Sequence, residues 1–221
     1  MSKELIQKTA EYVKSKLYNE PSGHDWYHVE RVWKCAQFIQ TKEGGDLELI
    51  EFAALLHNLG EHSDYSFNAE KGPLILFGMM DILGIEDPLK SNILHIAHEI
   101  KYGGVETKKP RTLEGQIVQD ANFLDSFGAI GVARRFASGG YYGRPIYDPG
   151  MKVRKQLTKY AYEREKNKGS SLGSFYERVL KLTDRLNTAT ARRIAQHKIR
   201  FTNLFIEQFM KEWEGDEVES L

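Results

Sequence analysis

The sequence predicts an all-α fold, a single-domain helical bundle packed around one central buried helix. Three observations carry this. Apolar residues recur roughly every three or four positions between recognisable caps along the chain. One segment, Phe52-Ala53-Ala54-Leu55-Leu56, is apolar without a break, as a helix surrounded by other helices must be. No segment shows the alternation of a half-buried strand, and no composition shift marks a linker.

Taken in order, Ser2 caps a first helix that buries Leu5, Ile6, Ala10, Val13 and Leu17, and Pro21-Ser22-Gly23 ends it. A second helix from about Asp25 to Lys42 buries Val29, Val32, Ala36 and Ile39, with His24-Asp25 as its cap and first-turn pair. Gly44-Gly45 stops it and Asp46 caps the third, Leu47 to Leu59, which is the central helix. A fourth runs from about Asn68 to Leu83, and Asp87-Pro88 opens a fifth carrying Ile93, Leu94, Ile96 and Ile100. After a loop from Lys101 to Arg111, Thr112 caps a helix through Ile117, Val118, Ala121 and Leu124. Gly128 marks a bend before a helical stretch from Ile130 to Phe136, and Gly139 to Gly150 reads as a long irregular segment. Two helical regions follow, Lys152–Glu165 and Phe175–Trp213, the latter broken near Asn187. The domain is expected to span residues 1–213, with an acidic, disordered tail over 214–221.

Composition narrows the function. The chain has 221 residues, 41% hydrophobic and 28% charged, enough apolar material for a substantial core. Its formal net charge is zero, which argues against a nucleic-acid-coating surface. The lone cysteine, Cys35, excludes an internal disulfide and reads as a small core residue. Charges at Lys3, Glu4 and Lys8 do not suit a signal peptide, and no apolar run reaches the roughly 18 residues of a membrane helix. A cytoplasmic protein with no membrane partner is expected.

The chemistry lies in polar residues on apolar helices. His57-Asn58 closes the apolar run, where polar groups are costly unless paired or bound to something. His28, Asp120 and Asn122 occupy other helices with apolar faces. Each alone reads equally as a hydrogen-bonded core residue. Together they make sense if they converge, because imidazole nitrogen with carboxylate or amide oxygen suits a divalent metal. Arg31, one turn from His28, together with Lys101, Arg144 and the pair Arg134-Arg135, could bind phosphate. Tyr141, Tyr142 and Tyr147 could stack on a base or simply pack their loop.

Several segments carry a family resemblance. They are Gly23-His24-Asp25-Trp26-Tyr27-His28, Arg31-Val32, Ala53-Ala54-Leu55-Leu56-His57-Asn58 and Glu114-Gly115-Gln116-Ile117-Val118-Gln119-Asp120-Ala121-Asn122. Gly128-Ala129-Ile130-Gly131-Val132-Ala133-Arg134, Gly143-Arg144-Pro145-Ile146-Tyr147-Asp148 and Phe175-Tyr176-Glu177 extend it over most of the chain. The chain resembles the bacterial stand-alone HD-domain phosphohydrolases. The resemblance implies an all-α fold around a divalent metal (Mn, Mg, Fe, Ni or Zn) and hydrolysis of phosphate esters or anhydrides, often of nucleotides. Carried onto this chain, the metal positions are His28, His57, Asn58 and Asn122. Where the family pattern has a His-Asp pair and a late Asp, this chain has His-Asn and Asn, and an amide oxygen brings no negative charge. A weakly held or absent metal is therefore expected.

The resemblance also points to Glu61, one turn beyond His57, as a group that orients water; a solvent-exposed helix-end Glu is the alternative. His62 and Asp64 are weaker candidates on a loop. Asp120 is the other expected acid–base group, and it substitutes for the missing anion only if its helix is distorted. His95 and His98, three residues apart, face one side of their helix and read as extra ligands or as ordinary core and surface residues. Two functions remain: a hydrolase with a degenerate metal site acting on a small phosphorylated molecule, or a catalytically inactive protein that binds a nucleotide or phosphorylated ligand. A scaffold is the least favoured reading, because it leaves the polar core residues unexplained.

Overall fold

The computed structural model describes residues 2–59, 72–165 and 167–216. Among them every regular element is helical, as the apolar spacing requires. Helix α1 spans Ser2–Leu17, α2 Trp26–Glu43 and α3 Leu47–Leu56. Next come α4 Gly72–Leu83, α5 Leu89–Glu99, a 3₁₀ turn Gly104–Glu106, α6 Leu113–Leu124 and α7 Gly128–Tyr141. Two short helices, α8 Lys159–Arg164 and α9 Gly173–Glu177, precede a 3₁₀ stretch Val179–Arg185 and the long α10, Ala189–Glu214. No helix among the described residues is long and apolar enough to cross a membrane.

The expected caps form. Asp25, Asp46 and Thr112 accept from the backbone N–H of His28, Leu49 and Gly115, satisfying groups that a helix start leaves unpaired. Helix α3 is the centre of the bundle. Leu49, Ile50, Phe52, Ala53, Ala54, Leu55 and Leu56 are all buried, and α1, α2, α5 and α6 surround them. Its regular turns end at Leu56, three residues earlier than the spacing predicts, and His57 is its C-terminal cap. One continuous core runs from Ile6 to Ile206. Cys35 packs against it, and burial raises its thiol pKa to about 11.

Two segments depart from the local reading. Helix α7 continues through Gly139-Gly140 to Tyr141, where an irregular stretch was expected. Gly139 lies against Ser171, and a Cβ there would overlap the Ser171 hydroxyl, so glycine serves close approach here and not a turn. Conversely, 152–158 is not helical and α8 begins only at Lys159. The neighbouring chain is held by tertiary bonds: Ser171 and Leu172 N–H donate to Pro145 and Ile146 carbonyls, and Arg154 N–H donates to Glu177. The last helical region breaks at Asn187, as expected.

That break depends on Asp120. One carboxylate oxygen accepts from Asn187 N–H at 2.8 Å and from Asn187 Nδ2 at 2.9 Å. The other accepts from Thr188 N–H and Oγ1, both at 2.8 Å. Thr188 in turn caps α10 through Ala191 N–H. Asp120 thus fastens α6 to the start of α10, where a negative charge also suits the helix dipole. Burial pushes its pKa up against the pull of these hydrogen bonds. Asp120→Asn would turn an N–H₂ towards groups that are themselves donors. We expect it to destabilise the chain by about 2 kcal/mol or more, measured by urea unfolding.

Candidate functional site

A cavity of about 700 Å³ opens beside the end of α3. His57 and Asn58 reach it from that end, and Asn122 reaches it from the last turn of α6. His28 is fully buried behind His57, their rings 5.4 Å apart and nearly perpendicular. Three of the four residues expected at a metal therefore line one cavity, with the fourth packed directly against them. The helical offset between positions 120 and 122 decides the α6 contribution: Asn122 faces the cavity and Asp120 faces α10.

Hydrogen bonds set the orientation of both imidazoles. His57 Nδ1 donates to the Ala54 carbonyl at 2.7 Å. His28 Nδ1 donates to Asp125 at 2.7 Å, because a carboxylate can only accept. His28 Nε2 then carries the lone pair, and it has no hydrogen-bond partner among the described residues. Burial, reinforced by Arg134, lowers the His28 pKa well below its ordinary value and holds the ring neutral. Asn58 Nδ2 is likewise buried without a partner among the described residues.

Asp125, at the end of α6, binds more than His28. Arg31 grips it with two bonds, Nε at 2.8 Å and Nη2 at 3.0 Å, and Arg134 Nη1 lies 3.0 Å away. Burial alone would raise the Asp125 pKa. The hydrogen bonds from His28 and Arg31 and the nearby positive charges prevail and hold it well below the usual carboxylate range. Burial brings Arg134 down to about 10, and its Nε donates to the Gly23 carbonyl.

Two expectations are corrected by this geometry. Arg31 shares a helix face with His28 but spends its guanidinium on Asp125 and does not line the cavity. Asp120 is buried and saturated by Asn187 and Thr188, so it has no oxygen available for acid–base work or for replacing an anion at the cavity. Lys101 and Arg144 do line the cavity. So does Tyr142, whereas Tyr141 is exposed and Tyr147 packs on Phe209 and Trp213. Glu61, His62 and Asp64 lie outside the described residues.

The cavity also holds residues to which the sequence assigned no role or a weaker one. His24 reaches it with Nδ1 3.0 Å from the Ser22 hydroxyl. His95 and His98 line it near Glu99, which binds Arg111 Nε at 2.7 Å. Tyr102, Tyr162 and Arg178 line it as one group, the guanidinium of Arg178 lying 4.6 Å and 4.9 Å from the two ring centres. Arg178 and Tyr162 sit on short, irregular elements, where no periodicity marks a functional face.

The donor set can be tested against a resident divalent metal. No group of three His, Cys, Asp or Glu side chains among the described residues could hold one. The set at the cavity is two imidazoles and two amides, all neutral, and lacks the anions that draw a dication from water. These donors do not fit a tightly held metal. Asn58→Asp with Asn122→Asp would restore two anions, and calorimetric titration of that double variant with manganese should show clearly tighter binding than the parent chain. Asp125→Ala would leave His28, Arg31 and Arg134 around an empty position. It should cost about 3–5 kcal/mol of stability in denaturant unfolding, against a smaller loss for Arg31→Ala.

Comparison with known proteins assigns the frame. The HD domain family matches residues 25–126, which include His28, His57, Asn58 and Asn122. The Bacillus subtilis protein YpgQ is 33% identical over 216 residues, covering 95% of this chain and 94% of its own. A crystal structure of YpgQ in complex with ADP superposes with a TM-score of 0.70 at 29% identity, covering 94% of this chain and 97% of that one. A Bacillus thuringiensis protein described as an HD-superfamily hydrolase gives a TM-score of 0.70 at 39% identity over 97% of this chain and 99% of its own. A Lactobacillus plantarum structure gives 0.86 at 31% identity, covering 97% and 99%. With the ordered histidines, the helical frame and full-length likeness in agreement, this chain belongs to the HD domain family.

Proposed function

We propose that the cavity binds a small phosphorylated molecule, a nucleotide in the first instance, and holds it through protein cations. The observation that carries this reading is the charge of the wall: ten Lys and Arg residues line it against five Glu. Guanidinium groups bind phosphate oxygens bidentately, and the partly enclosed setting strengthens each contact. Lys101 and Arg144 are the phosphate contacts expected from the sequence, and Tyr102 and Tyr142 offer aromatic surface nearby. The ADP complex of YpgQ supports a nucleotide as the ligand. The neutral donor set at His28, His57, Asn58 and Asn122 favours binding over metal-dependent turnover.

A second reading, hydrolysis of the bound phosphate, is favoured by the His28–Asp125 pair. It is a neutral imidazole held by a buried carboxylate with its Nε2 lone pair unpartnered among the described residues. Thermal unfolding with ADP in the presence of a chelator separates the two. The binding reading expects a higher Tm, because ligand stabilises the form that binds it, with no turnover above background when manganese is added. Manganese-stimulated turnover that falls ~10²–10⁴-fold in Glu61→Gln with affinity retained would establish the hydrolase instead. No Tm shift with any nucleotide or sugar phosphate, together with no turnover, overturns both.

A further inference from the structure

The five glutamates that line the cavity are all engaged elsewhere. Glu99 holds Arg111, Glu106 accepts from Lys159 N–H, and Glu163 lies 3.9 Å from Lys159 Nζ. Glu165 and Glu177 both clasp Arg154, Glu177 with bonds at 2.7 Å and 2.9 Å. Three cavity arginines receive no carboxylate in return. Among the described residues, no acidic side chain forms an ion pair or hydrogen bond with Arg135, Arg144 or Arg178, and the Nε of each is buried without a hydrogen-bond partner.

The three also face one another. Burial and then the charge of Arg178 lower the pKa of both Arg135 and Arg144, and Arg144 acts on Arg135 in the same direction. The Arg178 guanidinium packs on one side of the Tyr102–Tyr162 pair, 4.6 Å and 4.9 Å from ring centres that are themselves 4.9 Å apart, and its Nε has no hydrogen-bond partner among the described residues. Arg144 comes within 3.4 Å of the Ser138 hydroxyl, on a chain segment that Gly139 allows to approach Ser171 closely. A cluster of half-buried like charges is costly unless something anionic completes it.

We propose that Arg135, Arg144 and Arg178 form an anion subsite that takes a diphosphate group without a divalent metal. The inference rests on the reading that the cavity binds a phosphorylated ligand, and it names the group recognised and the residues that recognise it. Charge accounting supports it. Replacing two carboxylates by Asn58 and Asn122 while dispensing with a dication leaves the net charge of the cavity unchanged. The neutralisation of phosphate then falls to the unpaired guanidiniums. A diphosphate offers more than one oxygen cluster to three separate forks, whereas a single phosphate cannot occupy all of them as fully.

The test is calorimetric titration of the full chain with inorganic pyrophosphate, with orthophosphate and with ADP, all in a chelator. Pyrophosphate and ADP should bind without metal, and orthophosphate more weakly. Arg135→Met and Arg178→Met should each weaken pyrophosphate and ADP by roughly tenfold or more. Ligand-free Arg135→Met should unfold at the same or a higher temperature than the parent, since it relieves repulsion. If Arg135→Met instead unfolds earlier, Arg144→Gln replaces it in the titration and must show the same loss. ADP binding that is unchanged in these variants, or that requires magnesium or manganese, overturns the subsite and leaves the binding reading standing. Absence of binding by ADP and pyrophosphate alike overturns both.

Discussion

Asp125 joins three cationic or potentially cationic partners from two helices to the end of a third. His28 and Arg31 reach it from α2, Arg134 from α7, and Asp125 itself closes α6. A buried carboxylate costs several kcal/mol in desolvation and persists because nearly every lone pair is used. The rest of the site follows from this contact. It fixes the His28 tautomer and leaves the lone pair on Nε2, which has no hydrogen-bond partner among the described residues. It withdraws Arg31 and Arg134 from the pool of cations that could meet a ligand. Gly131 permits the tight approach of α7 to the Asp125-Ser126 turn, since a Cβ there would overlap the Ser126 backbone.

The cations around the cavity therefore fall into two populations. Arg111, Arg134 and Arg154 are committed to carboxylates and hold secondary elements together. Arg135, Arg144 and Arg178 are not, although all three line the cavity. At the histidine end the donors are neutral, with amides at Asn58 and Asn122.

Much of the frame was legible from residues alone. Caps at Asp25, Asp46 and Thr112 and the unbroken apolar run of α3 depend on neighbours within a few positions, where chemistry and spacing suffice. The order His28, His57-Asn58, Asn122 pointed to one cavity because the family pattern already encodes which helices meet. Arg31 and Asp120 misled for a common reason. Each sits on the correct helix near a site residue, but side-chain direction is settled by a partner far along the chain, Asp125 for one and Asn187-Thr188 for the other. Arg178, Tyr102 and Tyr162 left no local signal, since their contact exists only once α8, the end of α9 and the loop after α5 are packed together.

Local sequence by itself determined the helical class, most helix starts and the central position of α3. Each of these follows from hydrogen-bonding groups and apolar periodicity over one or two helical turns. Tertiary structure alone decided which charges are spent on the fold and which remain for a ligand. Pairing of a buried charge is set by what lies within a few ångströms in space, and for Asp120, Asp125 and Arg178 those neighbours come from distant segments of the chain.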